Sequence, residues 1–215
     1  MRIVIAGGHG TIALLLSRQL VDAGHQPVGL IRSESQAADL AAAGAEAVVL
    51  DLEHTDVAAV GSVLRGADAA VFAAGAGGGS NSHRTQSIDR DGAILFADAA
   101  VASGVRRLII VSSAGADTGD AASTDQFQIY LRAKADADAA IRGKDLDWTI
   151  LRPVSLTDAV PTGRITVGDT VNRTSISRAD VAAIIVTVLE QNLGVHRQFE
   201  ATGGGQPMVN ALQTL

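Results

Sequence analysis

The residues best suited to chemistry are a tyrosine and a lysine in the segment Tyr130-Leu131-Arg132-Ala133-Lys134. Residues four apart share one face of a helix, so both side chains are expected to point the same way. The pair predicts hydride transfer to a carbonyl or a conjugated acceptor, with Tyr130 supplying the proton and the charge of Lys134 easing its release. Lys134 would also hold the ribose of the cofactor. Two other interpretations stay open: a core tyrosine beside a solvated lysine, and a pair that only contacts a cofactor.

Two serines precede this helix, directly after the predicted strand Arg107–Val111. Ser113 is expected to hydrogen-bond the reacting oxygen of the substrate, and Ser112 is expected to contact the cofactor. The predicted catalytic residues are therefore Ser113, Tyr130 and Lys134. Positioned proton transfer contributes a factor of about 10²–10⁴, so the loss of Tyr130 should be plainly measurable if this mechanism operates.

A glycine-rich turn, Gly7-Gly8-His9-Gly10-Thr11-Ile12-Ala13, joins the first predicted strand to the first predicted helix. Gly7 permits the tight turn, Gly10 lets the backbone approach a pyrophosphate, and Ala13 lets the helix pack on the sheet. The free amides at the start of the helix favour a phosphate group. His9 is expected to act more through its backbone amide than through its ring. The residues predicted to bind the dinucleotide here are Gly7, His9, Gly10, Thr11 and Ile12.

The end of the second predicted strand, Pro27–Arg32, indicates which dinucleotide is preferred. A site selective for NAD usually places an acidic residue there, to bind a ribose hydroxyl. Arg32 and Ser33 suit a 2′-phosphate instead, and a charge-assisted contact of roughly 1.5–3 kcal/mol predicts NADP(H) over NAD(H) by about ten- to a hundredfold. Glu34 lies close by, and a solvated Arg32 is the alternative. The adenine and its ribose are expected to contact Asp51, Leu52, Ala73, Ala74 and Gly75.

Apolar runs of strand length alternate with helical patterns along most of the chain. The predicted strands are Arg2–Ala6, Pro27–Arg32, Ala47–Leu50, Ala69–Ala74, Arg107–Val111 and Trp148–Leu151. The predicted helices are Thr11–Ala23, Gln36–Ala43, Val57–Leu64, Ser87–Ser103 and Gln126–Ile141. Continuously apolar strands are typical of a parallel sheet with helices on both faces. The pattern therefore predicts an α/β protein with a doubly wound parallel Rossmann sheet.

The pattern changes after residue 153. Two short strand-like pieces, Arg164–Val167 and Val171–Arg173, precede a helix that Ser177 is predicted to cap, with Asp180 as the third helical residue of a capping box. This part is too short for a second domain. Residues 1–215 are therefore expected to form a single NAD(P)-binding domain, in which residues 153–215 are a substrate-side lid and closing helix.

Composition excludes several classes of protein. The net charge of −6, without a basic patch, argues against a nucleic-acid partner. The chain has no cysteine, which excludes disulfides and thiolate chemistry, and its five histidines are scattered, so no metal site is expected. It has neither an export signal nor an apolar run near the roughly 20 residues that span a bilayer, so a cytoplasmic protein without a membrane partner is expected.

Taken in order, these segments resemble the atypical short-chain dehydrogenase/reductase superfamily, in particular its compact NAD(P)H-binding members, which include biliverdin/flavin reductases and NADPH-sensing regulators. The segments that carry the resemblance are Gly7–Ala13, Arg32, Ala73–Gly75, Ile88–Gly92, Ser112-Ser113, Tyr130–Lys134, Leu151–Pro153 and Thr174–Ala182. The resemblance implies an NADP(H) site in which Pro153 and Val154 flank the nicotinamide. Many active members carry an asparagine in the helix after strand four, where it completes a proton relay. The chain has none between Ser82 and Ser103; Asn81 lies just before this stretch.

The leading hypothesis is an NADPH-dependent oxidoreductase that reduces a small-molecule acceptor, such as a carbonyl compound, a quinone or a flavin. Residues 75–82 and 155–173 are expected to shape its pocket. The alternative is a non-catalytic NADP(H)-binding redox sensor that acts through a protein partner, and an isomerase that keeps the nucleotide as a structural element is a weaker one. The short C-terminal segment argues against a sugar epimerase. A monomer or a small homo-oligomer is expected.

Overall fold

A computed structural model describes residues 1–77 and 82–215 of the chain. Asn81 and part of the stretch 75–82 lie outside the described residues. The strands are β1 Arg2–Ala6, β2 Gln26–Ile31, β3 Glu46–Val49, β4 Ala69–Phe72, β5 Arg107–Val111, β6 Asp147–Pro153, β7 Ser155–Thr157, β8 Arg164–Gly168, β9 Ser175–Ser177, β10 Arg197–Gly203 and β11 Gln206–Pro207. The helices are α1 Thr11–Asp22, α2 Ala37–Ala42, α3 Val57–Leu64, α4 Ser82–Arg84, α5 Ala93–Ser103, α6 Gln126–Arg142, α7 Arg178–Glu190 and α8 Met208–Leu212.

The main sheet has the strand order β11-β8-β10-β6-β5-β4-β1-β2-β3. Neighbouring strands from β3 to β10 run parallel, and β8 joins the edge of β10 antiparallel. The chain winds outward from β1 to β3 and then returns to β4 on the other side of β1. This confirms the predicted doubly wound parallel sheet, whose ligand crevice is expected where the winding direction reverses, at the carboxyl ends of β1 and β4.

Helices cover both faces of the sheet, which explains why its strands are continuously apolar. In β1, the side chains from Ile3 to Ala6 alternate between the two faces, and all are fully buried. Leu16 of α1 and Ile185 of α7 belong to the core on one face, whereas Val60 of α3 and Phe96 of α5 belong to the core on the other. Both cores hold the first βα turn in a fixed position at the end of β1.

The long helix after β4 is not uniform. It begins as α4, continues through a π-helical stretch, Thr85–Gly92, and ends as α5. Within this stretch, Thr85, Ile88, Asp89 and Gly92 are buried. Short π-helical insertions frequently occur at functional sites, because the extra residue in the turn redirects side chains. No helix in the described part of the chain is long and apolar enough to cross a lipid bilayer.

The C-terminal part extends the main sheet. Strand β10 pairs with β6 in parallel, and β8 and β11 follow at that edge. The predicted piece Arg164–Val167 corresponds to β8, but the prediction of a strand at Val171–Arg173 is wrong, because β9 lies at Ser175–Ser177 and pairs with β7. Whether residues 153–215 also act as a lid over substrate stays a prediction.

The predicted cap of α7 at Ser177 is confirmed, but the capping box is not closed as predicted, because the Asp180 carboxylate binds the Ser177 hydroxyl rather than the Ser177 amide. The Ser177 hydroxyl accepts a hydrogen bond from the Asp180 amide at 2.9 Å, and it donates to the Asp180 carboxylate at 2.9 Å. The same carboxylate accepts hydrogen bonds from the amides of Thr162 and Gly163. Asp180 therefore links the helix to the turn before β8.

We expect Ser177→Ala to lower the free energy of unfolding by about 1 kcal/mol, because it leaves an orphan helix amide without its acceptor. This corresponds to a melting temperature about 2–4 °C lower, measured by circular dichroism. Ser62→Ala is the matched control, since its exposed hydroxyl donates only to the Ala59 carbonyl. Equal losses in the two variants would contradict the capping role.

Candidate functional site

The turn between β1 and α1 has room for a phosphate group but not for a side chain at its first glycine. Gly7 has a φ of +76°, and a Cβ atom built on it would lie 2.6 Å from the Cα atom of Ala74. The Gly10 amide donates to the Gly7 carbonyl at 2.8 Å and closes the turn. Helix α1 then begins at Thr11 without a side-chain cap. Its first amides therefore remain available to an anion in front of the helix, and this fits a pyrophosphate.

Gly8, to which the sequence pattern assigned no role, holds this turn against β2. Its amide donates to the Leu30 carbonyl at 2.9 Å. A Cβ atom on Gly8 would lie 2.7 Å from the Cα atom of Gly29. A glycine inside a strand often marks a close approach of two backbones, so Gly29 is the signal in the sequence that could have revealed this contact.

A groove of about 720 Å³ runs from this turn along the carboxyl ends of β2, β3 and β4. Most of the residues predicted to bind the adenosine half of the cofactor line it, namely Gly7, His9, Gly10, Arg32, Asp51, Leu52, Ala73, Ala74 and Gly75. Side chains to which the sequence assigned no role in binding complete the lining, and they include Gln36, Leu50, Arg84 and Ile88. The structure thus brings together residues from five separate parts of the sequence.

The His9 ring takes part in this groove. Its Nε2 atom lies 2.7 Å from the carboxylate of Asp39, and its Nδ1 atom lies 3.2 Å from the Gln36 amide nitrogen. The Gln36 amide oxygen accepts a hydrogen bond from the backbone of Arg32 at 3.2 Å. Because Gln36 therefore presents its NH₂ group to His9, Nδ1 accepts a hydrogen bond and Nε2 donates one to Asp39. His9 thus has more than the expected backbone role.

Asp51 lies at the opposite side of the groove, after β3. Partial burial would raise the pKa of Asp51, but hydrogen bonds from the His54 ring and from the Glu53 amide outweigh this effect and hold the pKa below its ordinary value. Electrostatic attraction from Arg32 acts in the same direction. Asp51 is therefore a carboxylate at neutral pH and can accept a hydrogen bond from a ribose or an adenine.

A second, larger pocket of about 1270 Å³ adjoins the groove. The residues Ala73, Ala74 and Gly75 line both, so the two spaces are continuous along the segment after β4. The second pocket contains most of the predicted chemistry. Its other lining residues are Ile12, Ala76, Gly77, Thr85, Asp89, Val111, Ser112, Asp125, Gln126, Phe127, Tyr130, Lys134 and Leu156.

The aromatic wall of this pocket consists of Tyr130 and Phe127, one turn apart on α6. Their rings are stacked, with centroids 6.1 Å apart and planes inclined by 26°. Phe127 is 57% exposed although it is large and apolar. The Tyr130 hydroxyl has no hydrogen-bond partner among the described residues, so its proton is free to be donated to a molecule in the pocket.

Lys134 lies beneath the tyrosine in a buried ion pair. Its Nζ atom is 5.8 Å from the centroid of the Tyr130 ring, and it donates to the Val111 carbonyl at 3.1 Å. The Asp89 carboxylate lies 3.1 Å from Nζ, and both side chains are almost completely buried. Burial would lower the pKa of Lys134, but attraction from Asp89, and then from Tyr130, outweighs this and raises it above its ordinary value. Lys134 therefore keeps its positive charge.

A second set of buried charged groups, Asp138 and Arg152, lies behind Lys134 and contacts Ser112, which lines the pocket. The Ser112 hydroxyl donates to the Asp138 carboxylate at 2.7 Å, and Arg152 donates to the same carboxylate at 2.9 Å. Burial raises the pKa of Asp138, although Arg152 and Ser112 counteract this. Because the Ser112 hydroxyl uses its proton in the hydrogen bond to Asp138, the oxygen of this serine can accept a hydrogen bond from a molecule in the pocket.

The remaining predicted site residues do not line the groove or the second pocket. Ser113 is half-buried and lines neither of them, and its hydroxyl points to the Ala114 carbonyl at 3.4 Å. Pro153 and Val154 are buried at the end of β6 and line neither space. Thr11 is exposed at the start of α1, and Ser33 caps the turn after β2 by accepting a hydrogen bond from the Ser35 amide. The roles of these residues stay predictions.

Comparison with known proteins agrees with this geometry. The profile of the NAD(P)H-binding family matches residues 7–192, a range that includes both spaces. An uncharacterized sugar epimerase of Bacillus subtilis strain 168, YhfK, is 33% identical over 216 residues, which cover both chains completely.

Solved structures are similar as well. A protein of Bacillus halodurans, provisionally assigned as an NAD-dependent epimerase/dehydratase, is 34% identical, with a TM-score of 0.92 and full coverage of both chains. The oxidoreductase ylbE of Lactococcus lactis is 26% identical, with a TM-score of 0.87, and the match covers 100% of this chain and 96% of that one. The chain therefore belongs to the NAD(P)H-binding family, in agreement with the resemblance seen in the sequence.

Proposed function

We propose that the protein is an NADPH-dependent reductase of a small conjugated or carbonyl acceptor. The observation that carries this proposal is the position of Tyr130, the only tyrosine of the chain, in a pocket that is continuous with the glycine-turn groove. Its hydroxyl is unpartnered among the described residues, and the ammonium group of Lys134 lies below its ring, 5.8 Å from the ring centroid. A general acid is therefore placed where an acceptor would lie beside the cofactor.

The chain provides a binding residue for each part of NADPH. The amides of the first turn of α1 bind the pyrophosphate, Asp51 binds the adenosine, and Arg32 binds the 2′-phosphate. A bound nicotinamide supplies the hydride. The ammonium group of Lys134 has three N–H bonds, and Val111 and Asp89 account for two of them. The third is available to donate a hydrogen bond to the ribose or to Tyr130.

The stacked pair of Phe127 and Tyr130 favours a planar acceptor. An exposed phenylalanine at the mouth of a largely apolar pocket offers a face on which a conjugated ring can stack, and aromatic pairs of this kind contribute about 0.5–1.5 kcal/mol beyond burial. A quinone or a flavin fits this surface better than a sugar does. The names of the two epimerase-like relatives therefore do not decide the substrate of this chain.

The test is a fluorescence titration of the purified protein with NADPH and with NADH, followed by addition of menadione, FMN or FAD to the NADPH complex. We expect saturable binding of NADPH and oxidation after an acceptor is added. Binding without oxidation by any acceptor would favour the redox-sensor alternative. Product formed without net loss of NADPH would indicate the isomerase, and the absence of binding by either nucleotide would refute the proposal.

We expect Arg32→Gln to weaken NADPH binding by about ten- to a hundredfold and to leave NADH binding nearly unchanged, because only the 2′-phosphate loses its charged partner. The measurement is the ratio of the two dissociation constants at one fixed salt concentration. Arg18→Gln, on the exposed side of α1 and outside the groove, is the control for loss of a positive charge. A parallel loss of affinity for both nucleotides would show that Arg32 does not read the 2′ position.

A further inference from the structure

Asp89 is a buried acid in the pocket to which the proposed function has so far given no role. It lies in the π-helical stretch, its side chain is 0% exposed, and it lines the pocket together with Tyr130. One carboxylate oxygen lies 3.1 Å from Nζ of Lys134. The other accepts a hydrogen bond from the Ala76 amide at 3.1 Å. One carboxylate therefore joins the segment after β4, the π-helical stretch and the face of α6 that carries the tyrosine.

Removing a carboxylate from water is costly, so a fully buried acid requires a compensating charge or hydrogen bonds. Asp89 has both, and in turn it compensates the positive charge of Lys134. A lysine alone beneath Tyr130 would stabilise the tyrosinate form strongly, since an opposite charge within a few ångströms favours the ionised state. A lysine already paired with a carboxylate does so much less.

Other charged groups surround the same pocket. Asp125 begins the helix that carries Tyr130 and lines the pocket, and Asp138 lies behind Lys134, where Arg152 is paired with it. His83 and Arg84 lie on α4, which packs against α6. Among the described residues that line the pocket, the charged side chains are the carboxylates of Asp89 and Asp125 and the ammonium group of Lys134.

We propose that Asp89 is a positioning residue that holds Lys134 beneath Tyr130 and offsets the charge of Lys134 at the tyrosine. This inference rests on the proposed function, in which Tyr130 donates a proton to the reduced acceptor.

The single tyrosine of the chain permits a test without cofactor or substrate. Ionisation of a phenol is followed by the tyrosinate absorbance near 295 nm, and here the signal comes from Tyr130 alone. We expect Asp89→Asn to shift the rise of this band to lower pH by about one unit, because it leaves the charge of Lys134 uncompensated. The new amide can still accept the hydrogen bond from Ala76, so the loop after β4 keeps its anchor. An unchanged band, or a shift to higher pH, would overturn the inference.

Two further variants keep the test decisive. Asp125→Asn removes a pocket carboxylate that does not touch Lys134, and its shift is expected to be smaller than that of Asp89→Asn. If Asp89→Asn does not fold, as judged by a missing cooperative melt, the same titration is made on the double variant Asp89→Asn/Lys134→Met, which leaves neither buried charge without its partner. If Asp89 offsets Lys134, the band of the double variant stays close to that of the parent protein; a clear shift to higher pH would contradict the inference, because it would show that Lys134 acts on Tyr130 uncompensated. The titrations need neither NADPH nor an acceptor, so their outcome does not depend on whether the protein oxidises NADPH. Failure of the proposed function is therefore recognised separately from failure of this inference.

Discussion

Replacement of Tyr130 by phenylalanine is expected to lower kcat for reduction by about 10²–10⁴, which is the range that a positioned general acid contributes. The change removes a single oxygen atom, and no described residue hydrogen-bonds to that oxygen. The stacking on Phe127 is retained, because the ring is unchanged. Stability and NADPH affinity are therefore expected to remain close to those of the parent protein. The measurement is kcat with menadione as acceptor, together with the dissociation constant for NADPH.

The matched control for this experiment is Phe127→Leu, which removes the stacking surface but not the acid. We expect it to raise KM for a planar acceptor more than it lowers kcat, since it changes binding in the ground state as well as in the transition state. If Tyr130→Phe left kcat unchanged while the parent protein is active, proton donation by Tyr130 would be excluded. The acid would then have to be another group in the pocket, either the ammonium group of Lys134 or a water molecule.

The fold was predictable because its signals are local. Apolar runs of strand length and helical periodicity each depend on neighbouring residues, and the glycine turn is read within seven positions of the sequence. Strand β10 was missed for a physical reason. It carries Glu200 at a buried position, where the carboxylate accepts hydrogen bonds from the amides of Gly115 and Val171. A buried acid with distant partners breaks the apolar pattern that identifies a buried strand.

The site was predictable only in part, because several of its contacts join residues that are far apart in the sequence. The spacing of Tyr130 and Lys134 identifies a pair on one helix face, but it says nothing of Asp89, which comes from a segment 45 positions earlier and meets Lys134 only through packing. Ser112 and Ser113 are adjacent, and their sequence context does not show which hydroxyl is turned toward the pocket. The structure places the Ser112 hydroxyl at the pocket, where it donates a hydrogen bond to Asp138 on α6. Contacts of this kind depend on tertiary structure.

A second large effect is expected from Gly7→Ala. The backbone at Gly7 has a φ of +76°, a conformation that costs an alanine roughly 1–2 kcal/mol. The new methyl group would also lie 2.6–2.9 Å from three atoms of Ala74, two of them backbone atoms, and overpacking of this kind costs about 1–3 kcal/mol. The free energy of unfolding is therefore expected to fall by about 2–5 kcal/mol, and the melting temperature by about 5–15 °C. Circular dichroism melts of the free protein measure this loss.

Gly24→Ala separates the two contributions. Gly24 has a φ of +79°, close to that of Gly7, but a Cβ atom built there has nothing within 4 Å. This control is expected to cost only the conformational term, roughly 1–2 kcal/mol, and to leave NADPH affinity unchanged. In Gly7→Ala the turn must move away from Ala74, which lines both the groove and the pocket. Losing two hydrogen bonds of about 0.5–1.5 kcal/mol each would weaken NADPH binding by about 5- to 150-fold. Equal destabilisation of the two variants, with NADPH affinity intact in both, would show that the contact between the β1 turn and the segment after β4 does not hold the site together.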